Sequence, residues 1–259
     1  MASVNVTFLG TCACDFSPKL ENEFKDKFDY DARRASSILI EERYLIDAGN
    51  HILDSLRISN TQLDKITNIF ITHLHDDHFD LDNIIQIAKQ TKSKLMLWVR
   101  ENAQIEKNEA FEIVKMTPYK KYEVEKGVYI TGLDANHDTN SCPQHLLVEI
   151  NDKKVFYGCD GAWLLANTYN LLRGSNLNVA ILDATIGDYE GDYRIAEHNS
   201  IPMIRLMLPT LKNEKIITEK TKLYLSHIAP SLHKSHYEIE QIANELGANV
   251  AYDGLKIEI

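Results

Sequence analysis

The chain has 259 residues, 44% of them hydrophobic, and carries 28 Lys and Arg against 38 Asp and Glu, a formal net charge of -10. That composition supports a sizeable core and disfavours nucleic acid as a partner, because a polyanion would meet repulsion over most of the surface. A small anion drawn to a local cationic site remains compatible with it.

The N-terminus MASVNVTFLG has no basic segment followed by a long apolar run, and no window reaches the length of a membrane span. Four cysteines are too few for a disulfide framework. A soluble cytoplasmic protein with reduced thiols and no membrane partner is expected.

In chain order, VNVTFLG, SSILIEE, RYLIDAG and ITNIFITH read as strands, with a helix over 51–58 before the last of them. LDNIIQIAKQT follows with apolar residues at helical spacing and Asp80 or Asp82 placed to cap it. KLMLWVR, VYITGLDA, HLLVEIN and KVFYGCD are further strands, and WLLANTYNLLRG is the next helix. Strand NVAILDAT, helix IPMIRLMLPTLK, strand KLYLSHI, helix SHYEIEQIANELG with Gly247 as its C-cap, and strand NVAYDGLKIEI complete the chain. Strands neighbour strands in the first half and alternate with helices in the second, which predicts sheets with outer helices rather than a barrel or a bundle.

No linker divides the chain, so residues 1–259 are read as one domain. Residues 11–35 break the rhythm: they are charged and aperiodic between two strands, and a loop of that length is expected to border the functional site. Its thiols Cys12 and Cys14 have no second Cys or His pair at zinc-finger spacing.

The stretch ITHLHDDHFD carries the most chemistry. Alternate residues of a strand face one side, so His73 and His75 read as a pair aimed at one point, and the turn behind them brings Asp77 and His78 to the same strand end. A solvated polar turn is the alternative. So many imidazoles after an apolar run favour metal binding, and two divalent ions would need further donors. Other strand ends supply them: His137 in GLDANHD, Asp160 in VFYGCDGAW and His227 in LYLSHIAP. A carboxylate can offer one oxygen to each of two metals, which makes Asp160 the natural bridge.

In this order THLHDDH, NH, YGCD, SHI and the closing AYDGLKIEI resemble the metallo-β-lactamase superfamily of dinuclear hydrolases over nearly the whole chain. More narrowly, RRASSILI, LIDAG, LDAT, EHNSIPMI and LSHIAP resemble the cyclic-phosphate phosphodiesterases of the carbon–phosphorus lyase pathway. The resemblance implies an α/β fold, a four-layered αββα sandwich. It implies one metal on His73, His75 and His137, a second on Asp77, His78 and His227, and Asp160 bridging. Zinc or manganese would fill the sites, with iron allowed by the same donors. Asp47 matches a position that supports a ligand histidine from behind, Asp77 is counted as catalytic as well as a ligand, and His198 matches a histidine that assists at the leaving group. Those phosphodiesterases also hold an N-terminal structural zinc, completed by a histidine where this chain has Ala229 and Pro230, so that zinc is not expected here.

Two divalent cations outweigh Asp77, Asp160 and a hydroxide, so the expected centre is cationic and suits a small anionic phosphate ester, cyclic esters included, attacked by a metal-activated water. His198 would donate a proton to the departing alkoxide, or else merely cap the helix that follows. Arg33 and Arg34 offer bidentate contacts to phosphate, or else form a solvated strand edge. Competing readings are a tRNA 3′-processing endonuclease, for which no basic flexible arm is found, an acyl or thioester hydrolase, and a non-catalytic metal-binding accessory protein. The assembly is left open, with a homodimer among the options.

Overall fold

The computed structural model describes residues 3–259. Its elements are β1 (Asn5–Gly10), α1 (Lys19–Asn22), β2 (Ser37–Ile40), β3 (Tyr44–Ile46), α2 (Ile52–Ile58), β4 (Asn68–Phe70), α3 (Leu81–Ala88), β5 (Leu95–Arg100), β6 (Phe111–Met116) and β7 (Lys121–Glu125). They continue with β8 (Val128–Asp134), β9 (Gln144–Ile150), β10 (Lys153–Gly158), α4 (Ala166–Leu172), β11 (Val179–Asp183), α5 (Ile201–Asn213), β12 (Lys222–Ser226), α6 (His236–Glu245), β13 (Asn249–Val250) and β14 (Lys256–Glu258). Asp80 caps α3, its Oδ1 accepting from the Asn83 amide at 3.0 Å.

Two seven-stranded sheets result, one in the order β14, β1, β2, β3, β4, β5, β6 and the other β13, β12, β11, β10, β9, β8, β7. The period of two along the strands sorts the side chains into layers. Ile38, Ile46, Phe70, Val148, Tyr157 and Ile181 meet between the sheets. Leu39, Leu45 and Leu97 point outwards, to Ile52, Leu56, Ile84 and Ile87 of α2 and α3. On the other side, Phe156, Ala180, Leu182 and Leu225 pack against Leu172, Ile204, Leu208 and Ile239 of α4, α5 and α6. Each such buried side chain contributes roughly 1.5–3 kcal/mol, and the layers stack as the expected αββα sandwich. Among the described residues no helix is long and apolar enough to cross a membrane.

Three details depart from the sequence reading. FEIVKM and KYEVE form β6 and β7, two charged and partly exposed strands that the sequence reading did not assign. The closing NVAYDGLKIEI is two strands, because Gly254 turns the chain at φ +86° and sends β14 to the opposite sheet from β13. The strand before the histidine cluster stops at Phe70, so His73 and His75 lie on a loop and strand alternation does not aim them.

β3 to β6 run parallel, as do β10 to β13. The carboxyl ends of these strands therefore gather at one edge of the sandwich, a place where parallel sheets commonly present ligand-binding groups.

Candidate metal centre

The histidine turn is clamped from beside β3. Asp47, at φ +62° and wholly buried, accepts the Thr72 amide and hydroxyl at 2.8 Å each, and its Oδ2 lies 2.7 Å from Nδ1 of His78. The Ala48 amide donates to the His78 carbonyl at 2.8 Å, the Asn50 amide to Asp76 at 3.1 Å, and the Asp80 amide to Ala48 at 2.9 Å. Between them Gly49 lies so close that a Cβ would overlap the Asp77 carbonyl oxygen. Leu74 is held separately, its amide donating to Ser141 at 3.0 Å.

The side chains released at this turn meet those from β8, β10 and β12. His73, His75, His137 and Asp160 present donor atoms within 4.8 Å of one another, and so do Asp77, His78, Asp160 and His227; Asp160 belongs to both sets. His75 Nδ1 lies 3.0 Å from His73 Nε2 and 3.2 Å from His137 Nε2. His78 Nε2 lies 3.2 Å from His227 Nε2, and both sit 3.3 Å from Asp160 Oδ2.

Imidazole nitrogens so close to one another, with carboxylates interleaved, form a donor set suited to a divalent cation. His137 Nδ1 is buried without a hydrogen-bond partner among the described residues, a polar demand that an ion would meet. The residues present therefore fit the metals that the sequence implies.

Without an ion the charges divide between the two sets. Burial lowers the His73 pKa to about 3 and lowers that of His137, favouring the neutral, ligating imidazole. Burial also opposes charge on His227, yet Asp160 and Asp77 push it up to about 9. Asp160, although buried, is held well below the carboxylate range by His227, His198 and His73.

Three residues here had no role in the sequence reading. Asp183, at the end of β11, has its Oδ2 3.1 Å from His198 Nδ1, and its Oδ1 accepts the Asn199 amide at 2.9 Å. Thr185 joins the two histidines, its hydroxyl 3.0 Å from Asp183 Oδ2 and 2.8 Å from His227 Nδ1. Glu197 brings its carboxylate within 4.8 Å of ring nitrogens of His137 and His198. A signal for Asp183 was present: LDAT ends an apolar run on a carboxylate, as YGCD does at Asp160. His198 lies beside the donors, with Nδ1 3.0 Å from Asp160 Oδ1, and burial there is outweighed by Asp183 and Asp160, which raise its pKa to about 11.

Arg33 and Arg34 are placed differently from the expected phosphate contacts. Arg33 is 1% exposed, with Nη1 donating to the Thr11 hydroxyl at 2.7 Å and to the Ala251 carbonyl at 2.5 Å, and Nη2 lying 2.9 Å from His236 Nδ1. Arg34 is equally buried and donates to the carbonyls of Phe24 at 2.6 Å and Lys25 at 3.2 Å. Arg33 fastens the 11–35 segment to the body at Ala251 and His236, whereas the Arg34 guanidinium ties that segment to itself. The start of that segment runs beside the residues after His227: the Ala13 amide donates to Ile228 at 3.1 Å, and Asp15 accepts the Ser231 amide at 2.9 Å.

A family model described as beta-lactamase superfamily domain matches residues 42–228. Among curated proteins, the zinc phosphodiesterase ELAC protein 1 of Homo sapiens is 39% identical over 80 residues, which is 30% of this chain and only 18% of that relative's length. The Mus musculus protein of the same name matches to the same extent. Among solved structures, a diphosphatase from the PhnP family superposes with a TM-score of 0.75 at 19% identity, covering 100% of this chain and 98% of its own. The metallo-beta-lactamase fold protein YhfI of Bacillus subtilis superposes with a TM-score of 0.77 at 14% identity, covering 100% of both chains. At such identities the structural likenesses speak for the fold.

Proposed function

We propose that this chain, which belongs to the beta-lactamase superfamily and is a metal-dependent hydrolase, acts as a phosphodiesterase on small phosphate diesters, cyclic ones included. The observation that carries the reading is the pair of donor sets sharing Asp160, with the imidazole of His198 beside them. The words zinc phosphodiesterase and diphosphatase in the names of similar proteins favour phosphorus over an acyl carbon as the centre attacked. The net charge of -10 weighs against a tRNA substrate.

His73, His75 and His137 would hold one divalent ion and Asp77, His78 and His227 a second, with Asp160 common to both sets and zinc or manganese suiting both. Divalent ions bound there would polarise a phosphoryl oxygen and bring the pKa of water towards neutrality. Asp47 fixes the ring of His78, and Thr185 that of His227, so that each presents Nε2 to the centre.

Hydrolysis joins a water oxygen to phosphorus and breaks the bond to the leaving oxygen, which must gain a proton. His198 is the donor. Its Nδ1 is occupied by Asp183, which leaves Nε2 for the departing oxygen, and the proton lost by the water balances the one delivered.

The test is turnover of bis(p-nitrophenyl) phosphate and of cyclic ribose phosphates by protein of measured metal content, before and after zinc or manganese is restored. Metal-dependent turnover, lost together with bound metal in His75→Ala and Asp160→Ala, is expected. Metal-loaded protein that cleaves thioesters or lactams and no diester would overturn the choice of substrate.

A further inference from the structure

Glu197 directly precedes His198 and closes the 3-10 turn Tyr193–Ala196, its amide donating to the Arg194 carbonyl at 2.9 Å. The side chain is exposed, and its carboxylate reaches within 4.8 Å of ring nitrogens of both His137 and His198. Among the described residues no lysine or arginine pairs with it. The nearest cation in sequence, Arg194, is committed to Asp192 through Nε at 2.8 Å and Nη2 at 2.7 Å. Apart from the imidazole of His198 itself, no cation faces Glu197 among the described residues, so an exposed negative charge stands beside the centre, next to the imidazole assigned to the leaving oxygen.

We propose that Glu197 is a specificity-determining residue that selects the leaving group by charge, favouring a cationic or hydrogen-bond-donating one and rejecting an anionic one. The inference rests on the phosphodiesterase reading and names the substrate class within it. A diester carries its single charge on non-bridging oxygens, where the metals would take it. A phosphoanhydride differs, because the departing phosphate brings its own negative charge to the position that Glu197 faces. Glu197 is exposed, so solvent screens the contact, and at separations of a few ångströms such a like-charge contact discriminates by up to about tenfold.

The experiment compares Glu197→Gln and Glu197→Lys with the unaltered, metal-loaded protein on three aryl methyl phosphates whose phenol leaving groups carry para-trimethylammonium, acetyl or carboxylate. Each variant-to-native ratio of kcat/KM cancels the intrinsic reactivity of its ester. In Glu197→Gln the ratio is expected to rise about tenfold for the carboxylate ester and to fall similarly for the trimethylammonium ester, with the neutral one between and Glu197→Lys more extreme. Calorimetry with pyrophosphate supplies a readout apart from turnover: binding should tighten in both variants at unchanged metal content. Equal ratios for the three esters with unchanged pyrophosphate affinity would overturn the inference, and so would loss of metal in Glu197→Gln, which would make the residue a ligand. If the native protein cleaves none of the esters, the phosphodiesterase reading fails, and the pyrophosphate arm still decides whether Glu197 repels an anion.

Discussion

His198 Nδ1 stands 3.1 Å from Asp183 Oδ2, while the same carboxylate oxygen accepts the Thr185 hydroxyl, which in turn sits 2.8 Å from Nδ1 of His227. One buried carboxylate at the end of β11 thus orients two imidazoles, that of His227, which also meets Asp77, His78 and Asp160, and that of His198, which joins Asp160, Asp183 and His227 in a further set of donors. Asp183 is wholly buried, yet His198 and His227 keep it charged. The arrangement fixes which nitrogen of His198 is free.

The first prediction separates the roles of His198 and Asp183. His198→Ala should keep its metal and slow diester turnover by roughly 10²–10⁴, the range of a lost general acid. Asp183→Asn should slow it less and move the alkaline limb of the pH profile. With the oxygens of Asp160 committed to cations, Asp183 is the buried charge that holds a proton on His198, beside the exposed Glu197, so its removal lowers that pKa and brings the fall in rate to lower pH. An alkaline limb at the same pH in Asp183→Asn would reject this role.

A second prediction concerns a residue that touches no donor atom. A Cβ on Gly49 would overlap the Asp77 carbonyl oxygen and press on the His78 amide at 2.8 Å, and that backbone has no slack, being tied down through Ala48, Asn50 and Asp80. Gly49→Ala should therefore displace Asp77 and His78 together. Zinc affinity measured against a competing chelator is expected to fall about 10–100-fold, as it does when the support of a ligand is disturbed, whereas wild-type affinity would show that the turn can yield.

Much of the site was legible because each contributing strand is an apolar run that ends abruptly on His or Asp: Asp160 after β10, Asp183 at the end of β11, His227 after β12. Such a pattern survives without knowledge of the fold, since parallel strands place their carboxyl ends on one edge. The role of Arg33 was not legible, because its partners Ala251 and His236 lie 218 and 203 residues away. Nothing near RRA distinguishes an arginine aimed at phosphate from one buried as a fastener. β6 and β7 escaped for a related reason: their half-exposed faces carry Lys and Glu, and only pairing with β5 and β8 makes them strands.

The placement of Arg33 leads to a third prediction. Arg33→Ala leaves Arg34 as the cation near the buried Asp253 and removes three buried hydrogen-bonded contacts, so it should destabilise the protein by about 3–5 kcal/mol in urea unfolding. KM for a diester should stay within about twofold, since the guanidinium has no route to the substrate. A rise in KM with unchanged stability would restore the phosphate-binding role.

The last prediction follows from the carboxylate that Arg33 faces. Asp253 is buried, and burial raises its pKa from 3.8 to about 6 even though the Arg34 amide, the charge of Arg33 and the Thr11 hydroxyl all pull it down. A folded value above the unfolded one means that the native state binds the proton more tightly. The stability this supplies is complete below about pH 4 and is lost as pH rises through about 6. Asn at this position keeps an acceptor for the Arg34 amide but cannot ionise. Measured by urea unfolding at steps between about pH 5 and 8, the stability of the native protein relative to Asp253→Asn should decline with rising pH, by at most about 3 kcal/mol over the full titration. Histidines buried in the neutral form, such as His145 and His233, change stability in the opposite direction in this range, but they do so in both proteins and drop out of the difference. A difference that is flat with pH, or that grows, would mean that Asp253 is already ionised in the folded protein at about pH 5 and that Arg33 outweighs its burial.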